Sequence, residues 1–320
     1  MLFPSKLMAS PVRRGLKSDR ATEEYGVIVC GRCRSSTWEL ETGNILRCQS
    51  CHAGVPIENG ILDFLGVDSP DALNPVVKQW DAHYGGYSEP YSEKEDWWTL
   101  SCWKKHLFRS VTENWTNKVI ADFGCGTGSR IAAIAPMDKY AYRYVGIDSS
   151  FEALNCAANN LPNGLFIRAN VGSPCLRPAV ADVVLCLGLL MYFQDYPSVL
   201  DHLLRVLKPG GLLLLHEQVS RGSWSRIANL VVQMGPDRSP SGHGVHWPRL
   251  RDSLVKHGRV LHLHLGGSPF RSPVRNLVSA IHLDALNPFV AGLDSIWCCT
   301  VGRALPAMGP AEVQIVFQKA

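Results

Sequence analysis

The stretch "NKVIADFGCGTGSR", residues 117–130, decides the fold. A short apolar run ends in an acid, and three glycines follow at alternate positions, Gly124, Gly126 and Gly128. "KVIADFG" reads as a buried strand and "SRIAAIAP" as a helix, so the glycines lie on a strand-to-helix loop. There a backbone without side chains can approach a ligand closely, and the helix N–H groups point outward. The spacing G-x-G-x-G departs from the dinucleotide fingerprint, and the Gly-Lys-Ser/Thr of a phosphate-binding loop is absent. Asp122 at the carboxyl end of the strand disfavours a pyrophosphate and suits a cationic group. In "YRYVGIDSS", Asp148 ends the next strand 26 residues on. An acid so placed can accept both hydroxyls of a ribose. A ribose joined to an amino-acid-like tail, without phosphate, describes S-adenosylmethionine.

Working outward, apolar runs of strand length alternate with helical patterns from residue 117: "KVIADFG", "YRYVGID", "GLFIRAN", "ADVVLCLG" and "GGLLLLHE". This alternation predicts βαβ units and an α/β, doubly wound, Rossmann-like parallel sheet. "GRVLHLHLG" and "AEVQIVFQ" would close the sheet, with an insertion at about 268–309 between them.

These segments together resemble the class I S-adenosylmethionine-dependent methyltransferases. "ADFGCGTGS" matches the first motif of the family and "VGIDSS" the second; "FIRANVGSPC" is similar to the third. "ADVVLCLGLLMYFQD" resembles the fourth strand, and "LLRVLKPGGLLLLHE" the Lys-Pro-Gly-Gly turn into the fifth. The resemblance covers about residues 80–265. It implies cofactor contacts by Gly124, Gly126, Gly128 and Gly188, with Asp122 at the methionine end and Asp148 at the ribose. Asn170 stands where many members carry an Asp for the adenine amino group, and its side-chain carbonyl can accept the same bond. As a bare structural matter the glycines could form a plain tight turn, and Asp148 could cap a helix, a role open equally to Ser149 or Ser150.

"CGRCRSSTWELETGNILRCQSC" holds two C-x2-C pairs separated by fourteen residues. Cys30, Cys33, Cys48 and Cys51 have the pattern of a four-thiolate structural zinc site. "TWEL" and "NILR" read as short strands between the pairs, which gives a zinc ribbon over 25–66. So short a segment buries little core of its own, and a metal would supply the missing stability. The segment, with "VPIENGILDFL" after it, resembles the ribbons ahead of some methyltransferases. Bacterial rRNA guanine methyltransferases share the layout, and there the ribbon helps hold RNA. Their ribbons usually end C-x3-H, whereas this one ends C-x2-C. Arg32, Arg34 and Arg47 face Glu39, Glu41, Glu58 and Asp63, a balance that does not favour RNA.

The chain has 320 residues, 46% of them hydrophobic, and a net charge of +4, which fits one large domain with an appendage and neither demands nor excludes nucleic acid. Its eleven cysteines, several in apolar runs, favour a reducing, cytoplasmic setting. No apolar run reaches the length of a spanning helix. Residues 1–24 read as a basic, disordered tail, with a weak mitochondrial-type signal as the alternative. Residues 67–116 carry five of the nine tryptophans and read as an aromatic lid or linker ahead of the methyltransferase domain at 117–320. Trp80 or Tyr84 would pack near the sulfonium, where an aromatic face stabilises a desolvated cation by about 2 kcal/mol; ordinary packing against the sheet is the plainer reading for any single ring.

Beyond the carboxyl ends of strands four and five fall Met191, Tyr192, His216 and Glu217. His216 is a candidate general base, or else a strand-end histidine bonded to a loop. "SGHGVHW", 241–247, reads as a loop followed by a helix start rather than as a source of acceptor histidines. The expected acceptor is a small molecule. An RNA acceptor held by the ribbon, and a non-catalytic cofactor-binding partner, are the alternatives.

Overall fold

The computed structural model describes residues 25–65, 75–84, 115–134, 141–173, 175–219, 244–266 and 312–320. The expected tail at 1–24, the insertion at 268–309, His243 and most of the lid at 67–116 lie outside them.

The glycine loop follows the strand that the sequence predicts. Strand β5 (Val119–Phe123) is buried over its last four residues. It pairs in parallel with β6 (Arg143–Asp148) on one side and with β8 (Ala181–Leu187) on the other. β7 (Leu165–Arg168) lies outside β6, and β9 (Leu207–Gln218) outside β8. Runs such as "VVLCL" in β8 are apolar without alternation because both faces of a central parallel strand are covered. One face packs Phe123, Ile147, Cys186 and Leu200 together. The other packs Ile120, Ile131, Tyr144, Leu154 and Leu185.

The helices follow from capping and spacing. Helix α1 spans Pro75–Tyr84 and α2 spans Ser129–Ile134. In α3 (Phe151–Asn160) Ser150 is the N-cap, its hydroxyl accepting from the amide of Ala153 at 3.2 Å. That assigns the cap to Ser150 and leaves Asp148 for other work. Helix α4 (Tyr196–Val206) buries Val199, Leu200, Leu203, Leu204 and Val206, an apolar stripe at helical spacing. Helix α5 (Trp247–Leu254) begins after His246, the helix start expected at 241–247.

Two late strands close the sheet as expected: β10 (Gly258–Gly266) pairs antiparallel with β11 (Glu312–Lys319), and β11 antiparallel with β9. The Lys-Pro-Gly-Gly segment leads into the fifth strand: Lys208–Gly211 lie within the span of β9, Leu207–Gln218, but the registers with β8 and β11 pass over them, and Gly210 has φ 74°. The pairing with β8 jumps from Ala181↔Leu207 to Val183↔Leu212, and that irregularity absorbs the Lys-Pro-Gly-Gly segment.

The cysteine segment continues the same sheet. β1 (Trp38–Glu41), β2 (Ile45–Cys48), β3 (Gly54–Glu58) and β4 (Ile61–Asp63) form an antiparallel meander. β4 then pairs in parallel with β7. The full order is β1-β2-β3-β4-β7-β6-β5-β8-β9-β11-β10. The buried Trp38, Leu46 and Val55 share a core with Ile167 and Leu176. Trp38 donates from its indole nitrogen to the carbonyl of Ile28 at 3.2 Å and meets Phe64 edge-on at 6.2 Å. No described helix is long and apolar enough to cross a membrane.

Candidate functional site

The order β7-β6-β5 runs one way from the centre and β8-β9 the other, so the strand order reverses between β5 and β8. Ligands of open α/β sheets bind at such a reversal, outside the carboxyl ends of the strands. The glycine loop stands there. Gly124, Gly126 and Gly128 have φ of 70°, 54° and 67°, a region that side chains resist. Each also sits against a neighbour. A Cβ on Gly124 would lie 2.8 Å from Cδ1 of Leu189, on Gly126 3.2 Å from the hydroxyl of Tyr84, and on Gly128 3.0 Å from Cδ1 of Leu161. Three such residues at alternate positions leave the loop without side chains where it meets Leu189, Tyr84 and Leu161.

Two acids frame it. Asp148 accepts at Oδ2 from the amide of Gly126 at 2.8 Å and at Oδ1 from that of Ser150 at 2.9 Å. Each oxygen retains lone-pair capacity for a ribose hydroxyl. Burial raises its pKa, while the amides of Ser150 and Gly126 pull the other way. Asp122 is buried and accepts from the Tyr144 hydroxyl at 2.8 Å. Burial pushes its carboxyl up to about 7, against the Tyr144 hydrogen bond and the charge of Arg130. The guanidinium of Arg130 donates to the carbonyl of Leu187 and lies 3.5 Å from where a Cβ on Gly188 would stand. Gly188, at φ 79°, donates its amide to the carbonyl of His216 at 2.7 Å. Asn170 turns its Oδ1 to the amide of Gly172 at 2.9 Å, closing a tight loop at the end of β7.

Helix α1 covers the loop. Asp81 accepts from the Ser150 hydroxyl at 2.6 Å, which fastens the helix beside Asp148. Trp80 stacks on Tyr84 at 5.4 Å and meets Tyr192 edge-on at 5.7 Å. Burial, then the nearby Asp148, raises the pKa of the Tyr84 phenol, so it stays a neutral donor. Of the other lid tryptophans, the described Trp115 packs as core, edge-on to Tyr142 at 5.8 Å.

At the ends of β8 and β9 the candidates separate in role. Glu217 is fully buried and takes the amides of Leu189 (2.9 Å), Leu190 (2.8 Å) and Met191 (3.2 Å). It therefore holds the turn Leu190–Tyr192 against the strand end; burial raises its carboxyl to about 7. His216 is bonded through Nε2 to Oε2 of Glu312 at 2.9 Å. Sequence reading missed Glu312, Arg130, Tyr144 and Asp81, because each reaches its partner across the sheet or from a separate helix.

The four ribbon cysteines converge. Their sulfurs all lie within 4.8 Å of one another, with Cys30–Cys51 and Cys33–Cys48 each at 3.5 Å. A tetrahedral zinc with bonds of about 2.3 Å wants sulfurs about 3.8 Å apart, so the donor set and spacing fit a structural zinc ion. Every described cysteine is a free thiol.

Comparison with known proteins agrees with this geometry. Residues 121–215 match the family described as "Methyltransferase domain". Trans-aconitate 2-methyltransferase of Pseudomonas paraeruginosa is 34% identical over 147 residues, 45% of this chain and 50% of that protein. The ubiquinone/menaquinone biosynthesis C-methyltransferase UbiE of Campylobacter jejuni is 30% identical over 132 residues, 39% of this chain and 56% of that protein. The chain thus spans about half the length of these curated relatives. Among solved structures, the N-methyltransferase NodS from Bradyrhizobium japonicum, in complex with S-adenosyl-L-homocysteine, superposes with a TM-score of 0.50 at 11% identity, over 77% of this chain and 99% of that one. The cyclase SpnF also superposes at 0.50, with 20% identity, over 76% and 92%; a likeness of this kind establishes the fold alone. The fold is the Rossmann-like α/β fold of the methyltransferases, and residues 121–215 are the part of it that matches the methyltransferase domain family.

Proposed function

We propose that the protein is an S-adenosylmethionine-dependent methyltransferase acting on a small molecule, with a structural zinc ion in its ribbon. One observation carries the reading: the three left-handed glycines lie at the strand-order reversal, tied by Gly126 to Asp148 and roofed by Tyr84. When bound, S-adenosylmethionine supplies an electrophilic methyl group on a sulfonium centre. The residues of the chain hold and orient. Asp148 takes the ribose hydroxyls while its other lone pairs keep the amides of Gly126 and Ser150. Asp122 presents negative potential to the α-amino group, and Arg130, held at the end of β8 by the Leu187 carbonyl, offers a cation to the α-carboxylate. Asn170 lies at the adenine end.

The faces of Trp80 and Tyr84, joined to Tyr192, shield the cationic region from water and stabilise it. Methyl transfer by direct displacement needs alignment above all. Glu217 fixes the Leu190–Tyr192 turn that borders the acceptor. The His216–Glu312 pair stands at the adjoining strand end, where an imidazole oriented by a carboxylate takes a proton from an O–H or N–H acceptor. The aromatic roof suits an enclosed acceptor as well as unpaired bases. The balance of Arg against acids in the ribbon disfavours RNA, and the names of the curated relatives, which include a trans-aconitate 2-methyltransferase and a ubiquinone/menaquinone biosynthesis C-methyltransferase, support a small molecule.

The test is methyl transfer from labelled cofactor to total RNA and to a metabolite extract, side by side. Label in the small-molecule fraction supports the proposal. Label in RNA with an unlabelled small-molecule fraction overturns it and makes the ribbon a substrate-binding module; no label in either leaves a non-catalytic cofactor-binding protein.

A further inference from the structure

One row of residues crosses three parallel strands: Asp63 of β4 is in register with Arg168 of β7, and Arg168 with Asp148 of β6. The outer residue belongs to the cysteine ribbon and the inner one is the ribose acid. Arg168 joins them. Its Nη1 meets Oδ2 of Asp63 at 3.2 Å, with both side chains largely buried. Its Nε donates to the carbonyl of Ser149 at 3.2 Å, and its guanidinium lies 5.6 Å from the centre of the Phe151 ring. The backbone repeats the link: Phe64 donates to the carbonyl of Arg168 at 2.9 Å, and Ala169 to that of Asp148 at 3.0 Å.

A second strap ties the ribbon to the other adenosine loop. The amide of Val29 donates to the carbonyl of Cys175, and that of Arg177 to the carbonyl of Val27, each at 2.9 Å. Ile28 and Leu176 form an antiparallel bridge. Val171, Cys175 and Leu176 are buried in one core with Val27, Ile28 and Cys30. The segment after Asn170 is thus fastened one residue before the first cysteine of the cluster. The stretches that carry the expected adenosine residues, 148–151 with Asp148 and 170–173 with Asn170, are held from the ribbon side, the second through the neighbouring 175–177. Fixing a loop before binding spares the ligand that ordering cost.

We propose that the ribbon is the positioning element for the adenosine half of the cofactor site, and that Arg168 is the positioning residue through which it acts on the Asp148–Phe151 loop. This rests on the reading of the site as one for S-adenosylmethionine. It assigns the ribbon a task inside the methyltransferase domain, not on a substrate.

The test uses the full chain and two ligands, S-adenosylhomocysteine and 5′-methylthioadenosine, the latter carrying the adenosine half alone. Calorimetric Kd values are compared for wild type, Arg168→Gln and Arg168→Lys, with zinc content and melting temperature measured on each. The lysine variant keeps a charge for the buried Asp63 but loses the planar fork that also reaches Ser149. The expected result is retained zinc and folding in Arg168→Lys, with both ligands weakened by the same factor, about tenfold or more, the scale of one charge-assisted hydrogen bond. Arg168→Gln should show the same pattern. Unchanged affinity for methylthioadenosine in a folded variant, with wild type binding normally, overturns the positioning role alone. A wild type that binds neither ligand overturns the cofactor reading and this inference with it.

Discussion

The phenol oxygen of Tyr84 lies 3.2 Å from the point where a side chain on Gly126 would begin. Helix α1 and the glycine loop are therefore fitted to each other at this point. Gly126→Ala faces two penalties: a left-handed φ, costing about 1–2 kcal/mol, and displacement of the Tyr84 hydroxyl. Its affinity for S-adenosylhomocysteine should fall at least about tenfold while circular dichroism remains that of wild type. A normal calorimetric Kd would show that the loop backbone does not face the ligand.

Asp122 makes the stability of the ligand-free protein depend on pH. Burial raises its carboxyl to about 7, against about 3.9 in an unfolded chain. Between those values the folded protein holds a proton that the unfolded chain has released. The associated stability is full below about pH 4 and is lost as pH rises through about 7. Glu217, also raised to about 7 by burial, acts in the same direction and remains in both proteins compared. Asp122→Asn stays neutral throughout, so its melting temperature should gain on wild type between about pH 4 and about pH 7 and hold a constant lead above that. A difference that is flat with pH would contradict the assignment.

The His216–Glu312 pair, bonded at 2.9 Å, predicts a split in kinetics. His216→Gln should lower kcat by about a hundredfold, with KM for S-adenosylmethionine little changed. Glu312→Gln should lower kcat less, since it frees the imidazole without removing it. Full turnover in His216→Gln would mean that the acceptor loses no proton to this chain.

The ribbon should carry about one zinc per chain, the load of a single four-thiolate site. Cys33→Ser should lose that metal, and with it much of the thermal stability of the N-terminal strands. Elemental analysis and a melting curve decide this; an unchanged melting temperature in metal-free protein would remove the metal from the account.

Local pattern carried most of the fold. The glycine loop, both late strands and the paired cysteines each have a signature within about twenty residues. What stayed hidden depends on pairing between distant segments. Nothing near Asp63 announces that β4 will lie parallel to β7, because a three-residue strand has no periodicity to read. Glu312 follows His216 by 96 residues and meets it only once β11 has paired with β9. Glu217 looked like an acceptor group because it ends a strand at the crevice. Its three backbone partners come from a turn 26 to 28 residues earlier, a relation that sequence spacing cannot display. Lys208–Gly211 carried turn chemistry that the structure keeps, since the registers of β9 pass over these residues.

The most direct test of the central claim is a calorimetric titration of wild type and Asp122→Ala with S-adenosylhomocysteine. The account predicts a single site in wild type and none measurable in the variant, since Asp122 supplies the negative potential for the α-amino group beside the glycine loop. Equal affinity in the two proteins, or no binding by wild type, would contradict it.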